Sequence, residues 1–268
     1  MPDFDGVQGR VHYRAWRSPR PRAALVFLHG FGEHSGLYER LAEALTARGI
    51  DLWALDEIGH GLSDGERGIV GSVDALEANA RAFTEIVRRA RPGLPLVLAG
   101  HSLGGVTAAL AIARDASPWS GVVLSGTPIE PPQWAQEQIA SAGDGLALLP
   151  EDLSSDPWYL NALANDPLAF TETEGSPLDA LPTAWEELAR TFAGVRTPVL
   201  FIHGGDDPVA PIEGSRRWAD ELADGRLREF PGARHDVLNE TVHASVAAAI
   251  ADWVLARTAA PTNSLLHR

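Results

Sequence analysis

The chain has 268 residues, 45% of them hydrophobic and 22% charged, with no cysteine and a formal net charge of −14. That charge argues against DNA, RNA or an anionic bilayer as a partner. Without cysteine there is no disulfide, no thiolate metal site and no cysteine nucleophile, which fits a cytoplasmic protein.

Residues 1–6 lack the basic and apolar regions of a signal peptide. No stretch approaches the ~18 apolar residues of a spanning helix, and no internal repeat is visible. The run 8–16 alternates and is read as an antiparallel edge strand. Short apolar runs at 24–29, 51–55, 95–99, 121–125, 198–203 and 226–230 read as strands covered on both faces. Amphipathic stretches at 38–48, 73–91, 103–115, 213–223 and 241–257 alternate with them. This rhythm predicts an α/β fold with a mostly parallel sheet and helices on both faces. Its functional loops lie beyond the carboxyl ends of the strands.

One segment breaks the rhythm. Residues 130–196 offer no core strand, but hold Trp134, Trp158, Trp185 and several prolines. They are read as a helical cap inserted into a core of residues 1–129 and 197–258. Residues 259–268 are read as a flexible tail.

The sequence Gly100-His101-Ser102-Leu103-Gly104 follows the apolar run 94–99 and precedes an alanine-rich helical stretch. In a strand–turn–helix setting G-x-S-x-G marks a nucleophile elbow. The turn is tight, so its neighbours must lack bulk, and Gly100, Gly104 and Gly105 meet that need. A serine hydroxyl needs a base, and the base needs an orienting carboxylate. In α/β-hydrolases these follow in the order serine, acid, histidine. The loop after 198–203 carries Asp206 and Asp207, of which only one can orient an imidazole. The loop after 226–230 carries His235, the candidate base. An oxyanion needs two N–H donors. Leu103, directly after the serine, and Phe31, between Gly30 and Gly32, are the candidates. His101 cannot turn back onto Ser102 and is read as lining the pocket. His29, His34 and His60 are read as loop-organising residues. No His, Asp and Glu spacing requires a metal.

These residues resemble the monoacylglycerol lipase and lysophospholipase group of α/β-hydrolases over residues 7–255. The matching pieces include 29–35 (HGFGEHS), 56–63 (DEIGHGLS), 100–105 (GHSLGG), 165–168 (NDPL) and 235–240 (HDVLNE). The resemblance implies Ser102 as nucleophile, Asp207 as acid, His235 as base, and Phe31 and Leu103 as oxyanion donors. It also implies a mobile cap, an apolar acyl tunnel and no cofactor. Glu33 and His101 match the group's polar substrate-binding set. Leu37 stands where these lipases usually carry an arginine, and Leu163 where they carry a tyrosine. Both are read as substrate-facing, which predicts an alcohol group less polar than glycerol. Ile58 replaces a further arginine.

The reading is a serine carboxylic-ester hydrolase acting on small acyl esters or lipids. Alternatives on the same triad are a lysophospholipase, a thioesterase or an aminopeptidase-type amidase, with Glu151, Asp152 and Asp156 as candidate amine anchors. A non-catalytic ligand-binding protein is disfavoured because no triad member is missing. Residues 134, 139, 146–149 and 158–160 form a candidate apolar patch for transient membrane contact. Oligomeric state is not legible.

Overall fold

A computed structural model describes residues 2–141 and 146–258. The expected tail at 259–268 lies outside the described residues. The main sheet comprises β1 (Asp3–Gly6), β2 (Gly9–Trp16), β3 (Ala23–Leu28), β4 (Ile50–Leu55), β5 (Leu96–His101) and β6 (Val122–Ser125), then β9 (Val199–Gly204) and β10 (Gly225–Phe230). Their spatial order is β1-β2-β4-β3-β5-β6-β9-β10. The β1–β2 and β2–β4 pairs are antiparallel, and all the others are parallel. Parallel pairing puts the carboxyl ends of β3, β5, β6, β9 and β10 on one edge of the sheet.

The two faces follow from strand alternation. In β3, Ala24, Val26 and Leu28 join one buried cluster, whereas Ala23, Leu25 and Phe27 join the other. The first cluster is covered by α2 (Val73–Ala90) and α3 (Ser102–Arg114), the second by α1 (Glu39–Ala47) and α9 (His243–Thr258). Local sequence sets the helix limits. Ser72 caps α2 by accepting from the Ala75 N–H at 3.2 Å. Asp74 in its first turn and Arg88 and Arg89 in its last complement the helix dipole. Gly49, at φ +83°, stops the chain after α1.

Strand β1 is a departure from the sequence reading. Only Phe4 is apolar in Asp3–Gly6, so the segment carries no strand signature. Phe4 stacks on Phe83 at 5.9 Å, and β1 pairs with β2. The edge is therefore β1, and β2 is flanked on both sides.

Between β6 and β9 lie α4 (Gln133–Ser141), β7 (Leu146–Ala147), α5 (Pro150–Leu153), α6 (Pro157–Asn165), β8 (Glu172–Thr173) and α7 (Leu181–Thr191). Among the described residues, β7 and β8 pair only with each other and do not join the main sheet. Helix α7 packs on α3, and its Leu181, Ala184 and Leu188 belong to the first apolar cluster. The remaining core helix is α8 (Glu213–Glu221). Among the described residues no helix is long and apolar enough to cross a membrane.

Candidate active site

Ser102 sits where β5 becomes α3, with φ +49°, and is the non-glycine residue at positive φ among those described. The elbow is held by close backbone approach. A Cβ on Gly104 would strike the Leu28 carbonyl, and one on Gly100 would strike the backbone of Gly104. The strain at Ser102 aims its hydroxyl past the sheet edge, toward the loops that follow β9 and β10.

His235 lies in the loop after β10. Its Nε2 is 2.9 Å from Ser102 Oγ, and its Nδ1 is 2.8 Å from Asp207 Oδ2. The carboxylate fixes the tautomer: Nδ1–H donates to Asp207, leaving Nε2 to accept from the hydroxyl. Asp207 is buried and Asp206 is exposed, so burial separates the two neighbours. The Oδ1 atom of Asp207 accepts from Val209 N–H at 2.9 Å and Ala210 N–H at 2.8 Å. Burial alone would raise the Asp207 pKa. The facing His235 and the hydrogen bonds from His203 and His235 outweigh it and hold the carboxyl well below the usual range. Burial pulls His235 down, but the Asp207 charge overcomes that and raises its pKa.

The hydroxyl opens on an apolar cleft. Phe31, Leu103 and Val209 line it from the core, and Trp134, Leu148, Leu153, Leu181 and Trp185 from the segment between β6 and β9. Trp134 and Trp185 are pinned by indole N–H bonds to the carbonyls of Val209 (2.8 Å) and Pro128 (2.7 Å). Phe31 and Leu103 flank the serine, and Leu103 lies in the first turn of α3, whose N–H groups have no intrahelical partner.

Glu33 and His101 also line the cleft, though their polar atoms are largely engaged. Glu33 Oε2 accepts from Gly30 N–H at 2.8 Å and from the Tyr38 hydroxyl at 2.5 Å, and Oε1 bonds the Tyr159 hydroxyl. Burial and the nearby Asp236 raise the Glu33 pKa, and burial likewise raises Asp236. His101 Nδ1–H donates to the Ser125 carbonyl at 3.1 Å. Burial pushes this imidazole down to about 4, so it is neutral beside His235, 4.8 Å away between ring centroids. Glu33, His101 and Asp236 each offer one ligand atom within 4.8 Å of the others. Their oxygens are already bonded to Gly30, Tyr38, Tyr159, Leu238 and Asn239, so the group is a hydrogen-bonded cluster rather than an open ligand set.

Leu37 and Leu163 require a correction. Neither lines the cleft; both are buried at 2% and 8% exposure in the second apolar cluster. Leu37 belongs to the turn Ser35–Tyr38, which packs that side chain into the core, and Leu163 lies on α6. The expected remodelling of the alcohol site loses its structural basis.

The other histidines organise loops. His29 donates from Nδ1 to Gly30 O at 2.7 Å and accepts Glu57 N–H at Nε2, 2.9 Å away. His34 accepts Gly36 N–H at Nδ1 and donates from Nε2 to Asp166 at 3.0 Å, joining the 29–35 and 165–168 motifs. His60 Nδ1–H donates to Ile58 O at 3.1 Å. In the candidate apolar patch, Ile139, Leu149 and Trp158 are exposed, whereas Tyr159 is fully buried. The side chains of Leu146 and Ala147 lie outside the described residues. The sequence reading missed Tyr38, Tyr159, Asp236 and His203. The adjacency of Asp236 to His235, and of His203 to the acid loop, were the available signals.

Residues 19–242 match the family described as "Serine aminopeptidase, S33". The chain is 31% identical to human monoglyceride lipase, over 97% of this chain and 91% of that one. It is 28% identical to the monoacylglycerol lipase of Mycolicibacterium smegmatis, over 94% of this chain and 95% of the relative. The crystal structure of Paleococcus ferrophilus monoacylglycerol lipase superimposes with a TM-score of 0.79 at 29% identity, covering 92% of this chain and 99% of that chain. With this fold, a serine elbow and these relatives, the chain belongs to that serine-hydrolase family and is a carboxylic-ester hydrolase of the α/β-hydrolase fold.

Proposed function

We propose that the protein hydrolyses monoesters of apolar acyl groups, monoacylglycerols foremost, through an acyl-enzyme on Ser102. One observation carries the reading: His235 joins Ser102 Oγ to a buried, ionised Asp207 at the mouth of an apolar cleft. Ser102 Oγ attacks the ester carbonyl carbon as its proton passes to His235 Nε2. The N–H groups of Phe31 and Leu103 receive the oxyanion. The bond to the alcohol oxygen breaks as Nε2–H protonates the leaving group. Water then attacks the acyl carbon as His235 takes its proton, the bond from that carbon to Ser102 Oγ breaks, and Nε2–H returns the proton to Oγ, freeing the serine and the carboxylic acid. No external oxidant or cofactor enters these steps.

Residues 130–196 act as a cap in this reading. They supply the cleft's tryptophan walls while α7 also packs on α3. Transient contact with a lipid surface through Ile139, Leu149 and Trp158 belongs to the same reading, and flotation with neutral vesicles tests it.

The aminopeptidase alternative needs a free carboxylate for the substrate's amine. Asp156 is paired with Arg40 at 2.9 Å and caps α6, and Glu151, Asp152 and Asp156 do not line the cleft. Glu33, which does, is engaged on both oxygens.

The test is one matched panel: p-nitrophenyl esters of rising chain length, the corresponding 1-monoacylglycerols, a lysophosphatidylcholine and an aminoacyl amide, with Ser102→Ala as blank. Monoacylglycerols should lead in kcat/KM. Preference for the amide, or a wild type no faster than the blank, would contradict the proposal.

A further inference from the structure

Asp207 is held from two sides. One side is the loop itself, through the N–H groups of Val209 and Ala210 on Oδ1. The other is a second histidine. His203 Nε2 lies 3.1 Å from Asp207 Oδ2, the same oxygen that receives His235 Nδ1–H. His203 is the next-to-last residue of β9, is completely buried, and precedes Asp207 by four positions.

The protonation of this ring follows from its partners. Nε2 also lies 2.7 Å from the Ala210 carbonyl. A carbonyl and a carboxylate can only accept, so Nε2 carries a hydrogen. Nδ1 lies 2.8 Å from the hydroxyl of Ser215 on α8. A neutral ring protonated at Nε2 accepts there, and the hydroxyl donates.

We propose that His203 and Ser215 form a positioning pair beside the acid, with Ser215 O–H bonding His203 Nδ1 and His203 Nε2–H bonding the Ala210 carbonyl while lying 3.1 Å from Asp207 Oδ2. The pair acts on the reaction through Asp207 and does not touch substrate. This rests on the reading of Ser102, His235 and Asp207 as the catalytic residues. It holds the Ala210 carbonyl, and the N–H of that same residue bonds Asp207 Oδ1, so the loop that sets the carboxylate facing His235 is fixed. It also takes part of the electron density on Oδ2. Without that donor Asp207 is the stronger acceptor for His235, and the imidazole keeps its proton to higher pH.

The groups facing His235 are Asp207 from the β9 loop, His101 from β5, Glu33 from the β3 loop and Asp236 from its own loop. Of these, Asp207 is the one in contact with His203 among the described residues.

The experiment measures kcat, KM and the pH profile of kcat/KM on a soluble p-nitrophenyl ester. The proteins are wild type, His203→Leu, His203→Gln, Ser215→Ala and the His203→Leu/Ser215→Ala double variant, with Ser102→Ala as blank. His203→Leu should lower kcat roughly tenfold to a hundredfold, as expected for losing a hydrogen bond to a charged group. KM should stay within about twofold, and the acid limb should move to higher pH. His203→Gln keeps an N–H for Asp207 and should recover most of the rate. Ser215→Ala should shift the acid limb in the same direction by less, and the double variant should be no worse than His203→Leu.

A His203→Leu protein with wild-type kcat and acid limb overturns the proposal, even if it is less stable. Where His203→Leu does not fold, an unmoved acid limb in Ser215→Ala overturns it. Activity persisting in Ser102→Ala would remove the underlying triad reading itself. A dead Ser102→Ala beside unchanged His203 variants removes the positioning pair alone.

Discussion

Two clusters of buried carboxyl and imidazole groups meet at His235, and their acids are shifted in opposite directions. On one side Asp207 receives two backbone N–H bonds and the His235 N–H, with His203 Nε2 3.1 Å away, and its pKa is held far down. On the other side Glu33 and Asp236 lie near each other among the hydroxyls of Tyr38 and Tyr159, and burial pushes both acids up. His101, between that cluster and His235, is driven neutral. The same residue types at the same depth thus differ through their donors. A carboxyl that faces an imidazole and backbone N–H groups stays ionised, whereas one buried beside another acid keeps its proton more readily, the tyrosine hydroxyls notwithstanding. His235 thus meets at Nδ1 an acid whose pKa is lowered, and has near it two acids whose pKa values are raised.

The sharpest way to break this comparison is to neutralise one acid on each side. Asp207→Asn leaves the shape but offers the wrong partner to His235 Nδ1–H. It should lower kcat by about 10,000-fold, the loss seen when a serine-hydrolase acid becomes an amide. Glu33→Gln replaces a carboxyl that is already held toward its neutral form, and should change kcat by less than about tenfold. Steady-state kinetics on one ester checks both, and equal losses would end the distinction.

A third buried acid extends it. Among the described residues both carboxyl oxygens of Glu57 lack a hydrogen-bond partner, and burial raises its pKa to about 8. The folded state then holds a proton that the unfolded chain releases above its ordinary pKa of 4.5. Stability is fullest below that lower value and falls as pH rises through the window up to about 8. The loss is of the order of several kcal/mol at most. Urea titrations at about pH 5 and about pH 8.5 should show wild type losing stability and Glu57→Gln losing less. Parallel curves would contradict this.

Leu37 separates packing from recognition. Leu37→Ala should cost about 2–5 kcal/mol of stability, as for other buried leucines. The ratio of kcat/KM for a monoacylglycerol over an alkyl ester should not move. A changed ratio would restore a substrate-facing role.

The smallest effect is on pH dependence. In the proposed mechanism His235 must be neutral to accept the Ser102 proton, and its pKa is raised above the ordinary 6.5, burial opposing and Asp207 prevailing. The acid limb of kcat/KM should therefore have its midpoint above that value. A midpoint below it would mean that burial outweighs Asp207.

What was legible in the sequence was local. Apolar runs gave the parallel strands, and Gly100, Gly104 and Gly105 around Ser102 gave the elbow, because tight backbone approach demands glycine there. Strand β1 escaped because its pairing, not its composition, makes it a strand. Leu37 and Leu163 were misread because matching a position to a family says nothing of which way the side chain faces. The ring of partners around Glu33 draws Tyr38 from the same loop, Tyr159 from α6 and Asp236 from the loop after β10. No spacing along the chain announces that meeting. His203 was closer to legible, four residues before Asp207, yet Ser215 joins it only through the fold.

The most direct test of the central claim is stoichiometric labelling with a fluorophosphonate, followed by intact-mass measurement and peptide mapping. One adduct per chain, on Ser102, absent in Ser102→Ala and strongly slowed in Asp207→Asn, is the result this account requires. No adduct, or an adduct on another residue, would contradict it.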